Sequence, residues 1–302
     1  MEKFVTFTKN YHSKMKLLIF GKNGQLGREL QRIAPATWDV VALDSSECNV
    51  TDHKAVEEQI AHLRPDAVVN CTAYTAVDLA ETERDKADAV NWHAVENMAR
   101  VAALHDVALV HVSTDYVFDG TSRTPYRESD TVAPINHYGE GKLRGEQAIV
   151  ESGCRSVVIR TQWLYAPEGK NFVKTMLRLA EQQHEVRVVA DQYGCPTAAD
   201  DLAATIVTIL PEVVADRTLR GEVFHFASKG EATWYEFAEE IFRAAECDCR
   251  AVAISTDDYP TAARRPRYSV LDCSKIHNHF SVTLPNWRTS LQRNIERIKL
   301  LK

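Results

Sequence analysis

Tyr138 and Lys142, spaced four apart in the stretch Asn136-His137-Tyr138-Gly139-Glu140-Gly141-Lys142, are the residue types that proton transfer at a carbonyl requires. On a helix, residues four apart share a face, so a phenol and an ammonium can point into one site. A free phenol has a pKa of about 10 and holds its proton tightly near neutral pH. A neighbouring cation favours the phenolate and lowers that value. The spacing thus predicts Tyr138 as a general acid with Lys142 as its electrostatic partner. A second hydroxyl, able to share the reacting oxygen, is offered by Ser113-Thr114-Asp115-Tyr116, directly after an apolar run that reads as a buried strand. The Tyr/Lys spacing alone is a common accident of exposed helices, so its meaning depends on its setting.

A carbonyl reductase also needs a hydride source. Gly21-Lys22-Asn23-Gly24-Gln25-Leu26-Gly27 follows the first predicted strand and opens a helical pattern. Gly21, Gly24 and Gly27 let the backbone turn and approach a pyrophosphate, while Gln25 and Leu26 start a helix whose free N–H groups favour negative charge. Three glycines alone are weak evidence, but strand before and helix after make this the turn of a dinucleotide site. Asp44, at the end of the second strand, stands where an acidic residue meets the adenosine ribose of NAD. Lys22 beside the turn suits the 2′-phosphate of NADP. NADH and NADPH both remain open.

The elements that must position these groups follow from periodicity. Strands are predicted over residues 15–20, 39–43, 66–70, 107–112 and 156–160, and helices over 25–33, 54–63, 85–104 and 138–151. Such alternation specifies a parallel sheet covered by helices on both faces. In the third helix Ala87, Val90, Ala94, Met98 and Val101 form an apolar stripe at spacings of three and four, which is core. After Tyr165 the texture changes to shorter elements: helices over 171–183, 199–210 and 233–245, strands over 186–189, 223–226 and 251–254. The division expected is a dinucleotide-binding domain over 15–165 and a smaller mixed α/β substrate domain over 166–302, with later segments free to return to the first.

Composition narrows the function classes. The 302 residues carry a formal charge of −6 with a pI near 6.0, which argues against a general nucleic-acid binder. No run approaches the length of a membrane span. Seven cysteines, an odd number without framework spacing, fit reduced thiols and a cytoplasmic location. Cys247 and Cys249 lack a second ligand pair, so no zinc site is expected. Residues 1–14 carry no signal-peptide pattern and read as a poorly ordered extension.

The segments "FGKNGQLG", "VNCTAYTAVDLAE", "STDYVFDG", "YGEGKLRGE", "RTQWLYA", "NFVKTMLRLA", "DQYGCPT" and "ARRPRYSVLD" occur in an order that resembles the extended short-chain dehydrogenase/reductases, and within them the dTDP-4-dehydrorhamnose reductase family. The likeness runs from Met15 to near the C-terminus. It implies a Rossmann-type doubly wound sheet with a smaller substrate domain, and NADPH- or NADH-dependent reduction of the C4 keto group of dTDP-4-dehydro-L-rhamnose. In that resemblance Tyr138 is the proton donor, Lys142 its electrostatic and ribose partner, and Thr114 the hydroxyl on the carbonyl. Gly24, Gln25 and Leu26 cradle the pyrophosphate, Asn49, Val50, Ala73 and Tyr74 flank the adenosine half, and Thr75 and Val77 line the pocket.

Asp115 and Trp163 match sugar-contacting positions; Trp163 is equally the type of a core tryptophan after a strand. Arg264-Arg265-Pro266-Arg267, with Arg264 as substrate contact, is the basic patch that an acidic protein needs for a nucleotide diphosphate, or else a solvated loop. Cys71-Thr72 departs from the small residues expected beside the cofactor. Glu29 and Asp200 match positions tied to magnesium at a dimer contact in some relatives, but exposed carboxylates would look the same; Mg2+ is possible and no metal is assigned. A helix-rich surface suits a homodimer. Two rivals stand beside this reading: a dinucleotide-binding regulatory subunit like that of methionine adenosyltransferase, which the presence of Thr114, Tyr138 and Lys142 together disfavours, and a related nucleotide-sugar reductase or epimerase.

Overall fold

The computed structural model describes residues 14–301. The extension expected at the N-terminus lies, Lys14 apart, outside the described residues. The chain forms β1 (Lys16–Phe20), α1 (Gln25–Ile33), β2 (Asp39–Leu43), α2 (His53–Leu63), β3 (Ala67–Asn70), α3 (Ala94–His105), β4 (Ala108–Thr114), α4 (His137–Ser152) and β5 (Ser156–Thr161). It continues through α5 (Phe172–Ala180), β6 (Glu185–Val189), α6 (Ala199–Ala215), β7 (Glu222–His225), α7 (Trp234–Ala245), β8 (Arg250–Ile254) and α8 (Trp287–Leu300), with shorter turns and bridges between.

The six strands β7-β5-β4-β3-β1-β2 lie in that order, all parallel. Strands β1 and β3 to β5 read as nearly unbroken apolar runs because helices cover both faces. One face packs Leu18, Phe20, Val68, Leu109 and Val158 against α2, α3 and α4; the other packs Leu17, Ile19, Val69, Val110 and Ile159 toward α1, α6 and the second layer. The chain leaves β1 for β2 on one side and returns to β3 on the other. This reversal opens a crevice at the carboxyl ends of β1 and β3, where ligands of such sheets bind.

Several elements differ from expectation. Strand β4 runs on through Thr114, so Ser113 and Thr114 are its last residues and share the rigidity of the sheet. The helix expected over 85–104 is three pieces: Arg84–Asp88, a π-helical turn Ala89–His93, and α3. The wide turn carries Asn91, whose side chain accepts from Tyr74 N at 2.9 Å and donates to Tyr74 O at 3.1 Å, so it pins the loop after β3. Helix α6 passes Pro211 and continues to Ala215, because burial of Leu210 and Val213 outweighs the hydrogen bond that proline removes.

The late segments contribute to both layers. Strand β7 extends the large sheet beside β5, and α6 lies along α1, while β6 and β8 form a separate parallel pair under α7.

Candidate active site

The phosphate turn is held by backbone bonds. Gly21 N and Lys22 N both donate to Leu43 O, at 2.9 and 3.1 Å, and Gly24 N donates back to Gly21 O at 3.0 Å. Gly21 has φ 91°, and a Cβ on Gly27 would stand 2.2 Å from Gly21 O, so α1 can sit this close to the turn only without a side chain there. Gly24 caps α1 with no side-chain hydrogen bond, and no acidic residue lies in the first turn. The opening N–H groups and the helix dipole are thereby left for an anion, which fits a pyrophosphate.

The other predicted cofactor residues divide into two kinds. Leu26 and Val50 are buried in the two cores, so their side chains are not available to a cofactor. Gln25 Oε1 accepts from Asn171 Nδ2 at 2.8 Å, tying the turn to the start of α5. Asp44 accepts from Asn23 Nδ2 and from Ser46 N and Oγ, and its carboxyl is held low chiefly by the Ser46 hydroxyl. Lys22 Nζ bonds Glu47 at 2.5 Å and stands 3.6 Å from Asp44. Both candidate cofactor-discriminating side chains thus belong to one polar cluster. Asn49 is exposed and bonds Thr51, and Ala73, Tyr74 and Thr75 form the edge of the crevice after β3, with Tyr74 OH donating to Glu83 at 2.7 Å.

The groups expected to react, Thr114 and Tyr138, lie at the end of β4 and the start of α4. Asn136 caps α4, its Oδ1 accepting from Gly139 N at 2.8 Å while Nδ2 donates to Arg264 O at 2.8 Å. Glu81 accepts from His137 N at 2.9 Å. A Cβ on Gly139 would lie 2.2 Å from Tyr116 O, so this glycine lets the helix approach the loop after β4. The rings of Tyr116 and Tyr138 meet edge to face at 5.9 Å. Thr114 is buried, its hydroxyl donating to Asp115 Oδ1 at 3.1 Å, and Asp115 Oδ2 is buried with no partner at hydrogen-bond geometry, although the Ser269 hydroxyl is near enough to favour the charged carboxylate.

Electrostatics here departs from the expectation set by spacing. Burial pushes the Tyr138 phenol up to about 12, aided by the charge of Asp115 and offset in part by the Thr114 hydroxyl. Burial also pushes Asp115 up to about 7 and brings Lys142 down to about 8. The Tyr138–Lys142 spacing predicts a lowered phenol instead. The reason for the difference is geometric: Lys142 is only 1% exposed, and its Nζ turns inward to donate to Val112 O at 2.6 Å and to lie 3.0 Å from His111 Nε2. Desolvation of both groups outweighs their mutual influence.

The residues expected on the substrate side lie on several elements. Val77 opens the one-turn helix Val77–Ala80. Asp78 in that helix accepts from Ala263 N at 3.0 Å and pairs with Arg265 at 2.7 Å, which latches the basic loop over the site. Arg264 and Arg267 are exposed, so within the Arg-rich stretch one arginine is structural and two face solvent. Trp163 has φ 47° and stacks on Trp234 with ring centroids 3.5 Å apart, making an aromatic wall with Phe172.

Glu29 and Asp200 do come together, but both carboxylates are engaged by arginines. Arg297 donates to Glu29 at 2.7 Å and reaches Asp200 at 3.4 Å, Arg32 pairs with Glu29 at 2.7 Å, and Arg293 donates to Asp200 at 2.9 Å. These contacts bind the two carboxylates into one ion-pair network, and no group of three or more metal-ligating side chains occurs among the described residues. Also among the described residues, no helix is long and apolar enough to cross a membrane.

With this geometry in place, the likeness to known proteins is decisive. A family model described as the RmlD substrate binding domain matches residues 15–300. A dTDP-4-dehydrorhamnose reductase of Sinorhizobium fredii is 41% identical over 285 residues, covering 92% of this chain and 96% of that protein. The chain belongs to the dTDP-4-dehydrorhamnose reductase family. A crystal structure of such a reductase from Clostridium acetobutylicum superposes with a TM-score of 0.90 at 37% identity, over 94% of this chain and 100% of the other. One from Bacillus anthracis, in complex with NADP, gives 0.88 at 36%, over 94% and 99%. Membership makes the chain an oxidoreductase and places it apart from the regulatory-subunit rival.

Sequence reasoning missed Asn70, His111, Asn91 and the Asp78–Arg265 latch. A histidine inside the apolar run Val107 to Val112 was the available signal for the second of these. The latch had none, since its partners stand 187 positions apart.

Proposed function

We propose that the chain reduces the C4 keto group of dTDP-4-dehydro-L-rhamnose to dTDP-L-rhamnose, using NADPH or NADH. The observation that carries this reading is the convergence of Thr114, Asp115 and Tyr138 at the carboxyl edge of the sheet that also bears an uncapped glycine turn. When bound, the reduced nicotinamide supplies the hydride. The turn from Gly21 to Gly27 holds the pyrophosphate, and the Lys22, Asp44 and Glu47 cluster faces the adenosine end.

Thr114 Oγ1 and the Tyr138 hydroxyl hold the sugar carbonyl oxygen between them. Tyr138 keeps its proton until negative charge develops on that oxygen, and then gives it up; a phenol pushed up to about 12 is fully protonated at neutral pH and suited to protonating an alkoxide. Asp115, with one oxygen lacking a partner at hydrogen-bond geometry, binds a sugar hydroxyl, and the Trp163 and Trp234 wall packs the deoxysugar face. The exposed Arg264 meets the diphosphate. Seven free cysteines support a cytoplasmic location.

Product analysis after incubation with a panel of 4-keto sugar nucleotides, each with NADH and NADPH, tests the reading. Stoichiometric formation of dTDP-L-rhamnose is expected; faster turnover of another 4-keto sugar would replace the substrate, and no turnover of any would remove the reaction.

A further inference from the structure

We propose that Asn70 and His111 form a hydrogen-bond relay behind Lys142, in which the tautomer of His111 is linked to whether Lys142 is an amine or an ammonium. Asn70 and His111 are register partners on the adjacent parallel strands β3 and β4, so their side chains leave the sheet on the same face. Asn70 Oδ1 accepts from Thr72 N at 3.0 Å and Thr72 Oγ1 at 2.6 Å. These two donors fix the amide, and its Nδ2 stands 3.1 Å from His111 Nδ1.

An amide nitrogen only donates, so Nδ1 must accept, and a neutral imidazole then carries its hydrogen on Nε2. That hydrogen faces Lys142 Nζ at 3.0 Å. Nζ completes the bond only with a lone pair, that is as an amine, while one of its own hydrogens goes to Val112 O. An ammonium would set two donors head to head. Its formation requires the imidazole to lose hydrogen from Nε2 and regain it on Nδ1, with the Asn70 amide turning over and leaving Thr72. The net change is one proton gained, at Nζ.

Burial supports the coupling. His111 is fully buried and held well below its ordinary range, hence neutral, and Lys142 is brought down to about 8. Among the described residues, Glu146 is the charged group that acts on Lys142, and Lys142 the one that acts on His111. Glu146, one turn along α4, draws Lys142 upward but is closed off by Ser113 Oγ and Arg160; Tyr138 lies toward the substrate; Cys71 is kept a neutral thiol by burial. His111 and Asn70 are positioning residues, since neither touches the reacting atoms. Their effect on turnover rests on the reductase reading, but the linkage itself does not.

The test is nitrogen NMR of the histidine rings in the 15N-labelled full chain from pH 6 to 9.5, with His111 assigned by its loss in His111→Gln. The expected result is the Nε2–H tautomer above about pH 8, shifting toward Nδ1–H as pH falls. Asn70→Asp presents only acceptors to Nδ1 and should hold Nδ1–H throughout; Thr72→Val, should the first variant not fold, should shift the balance the same way. In kinetics, a midpoint near 8 in the pH profile of kcat should move up by about one unit or more in Asn70→Asp. A His111 that keeps one tautomer across the range, or titrates like an ordinary imidazole, overturns the proposal. A tautomer shift in a chain that turns over no keto sugar would leave the relay standing and remove the reductase reading instead.

Discussion

In the proposed reaction Thr114, Asp115 and Tyr138 work as a group because the end of β4 and the start of α4 hold them near one another, not because any one of them is unusual. The phenol keeps its proton through desolvation, and the last link to chemistry is that a positioned acid accelerates proton transfer by roughly 10²- to 10⁴-fold. Tyr138→Phe should cost turnover in that range with cofactor affinity, measured by fluorescence titration, nearly unchanged. Asp115, pushed up to about 7 by burial, changes charge across the neutral range. The substrate KM should accordingly vary between pH 6 and 8 in the wild type, and Asp115→Asn should flatten that dependence; a variant whose KM keeps the same pH profile would assign the titration elsewhere.

At the scale of elements, the glycine turn is the most demanding feature. The Cβ of Gly27→Ala would meet Gly21 O, a backbone atom that cannot swing away, so α1 must shift at a cost of about 1–3 kcal/mol, as for other overpacked sites. Cofactor affinity should fall about tenfold or more, and the melting temperature should drop with it. This element was legible in the sequence because strand, glycines and helix follow one another without a gap. Strands β1 and β3 to β5 are legible for a similar reason: buried parallel strands are continuous apolar runs. Two-residue pairings such as Leu164–Tyr165 with Thr197–Ala198 were not, since they are too short to carry a period. Nor was the π-helical turn, which keeps the apolar stripe of a helix while one residue, Asn91, is diverted to a neighbouring loop. Helix α8 is not among the expected elements, although Trp287, Leu291, Ile295 and Ile298 give it a buried stripe.

Across the whole molecule, the C-terminal helix closes the structure through charge. Arg297 bridges Glu29 of α1 and Asp200 of α6, both buried, so its loss leaves two carboxylates with only Arg32 and Arg293 to balance them. Because Arg297 is itself partly exposed, Arg297→Ala should destabilise by about 2 kcal/mol, less than a fully buried pair would, as read from urea unfolding. Lys142 shapes the pH dependence of stability. Its folded pKa of about 8 lies below the ordinary 10.5, so the unfolded chain binds more protons between those values and stability contributed by this group rises with pH through that window. Relative to Lys142→Met, the wild type should gain on the order of 3 kcal/mol from pH 8 to 10.5.

The claim on which the account depends is that Tyr138 protonates the carbonyl oxygen as hydride reaches C4 of the sugar. Single-turnover reduction of dTDP-4-dehydro-L-rhamnose with deuterium-labelled reduced cofactor, comparing wild type with Tyr138→Phe, measures it most directly. One deuterium at C4 of dTDP-L-rhamnose is expected in the wild type, with a rate at least about a hundredfold lower in the variant at saturating cofactor. Equal rates in the two proteins, or deuterium absent from C4, would contradict it.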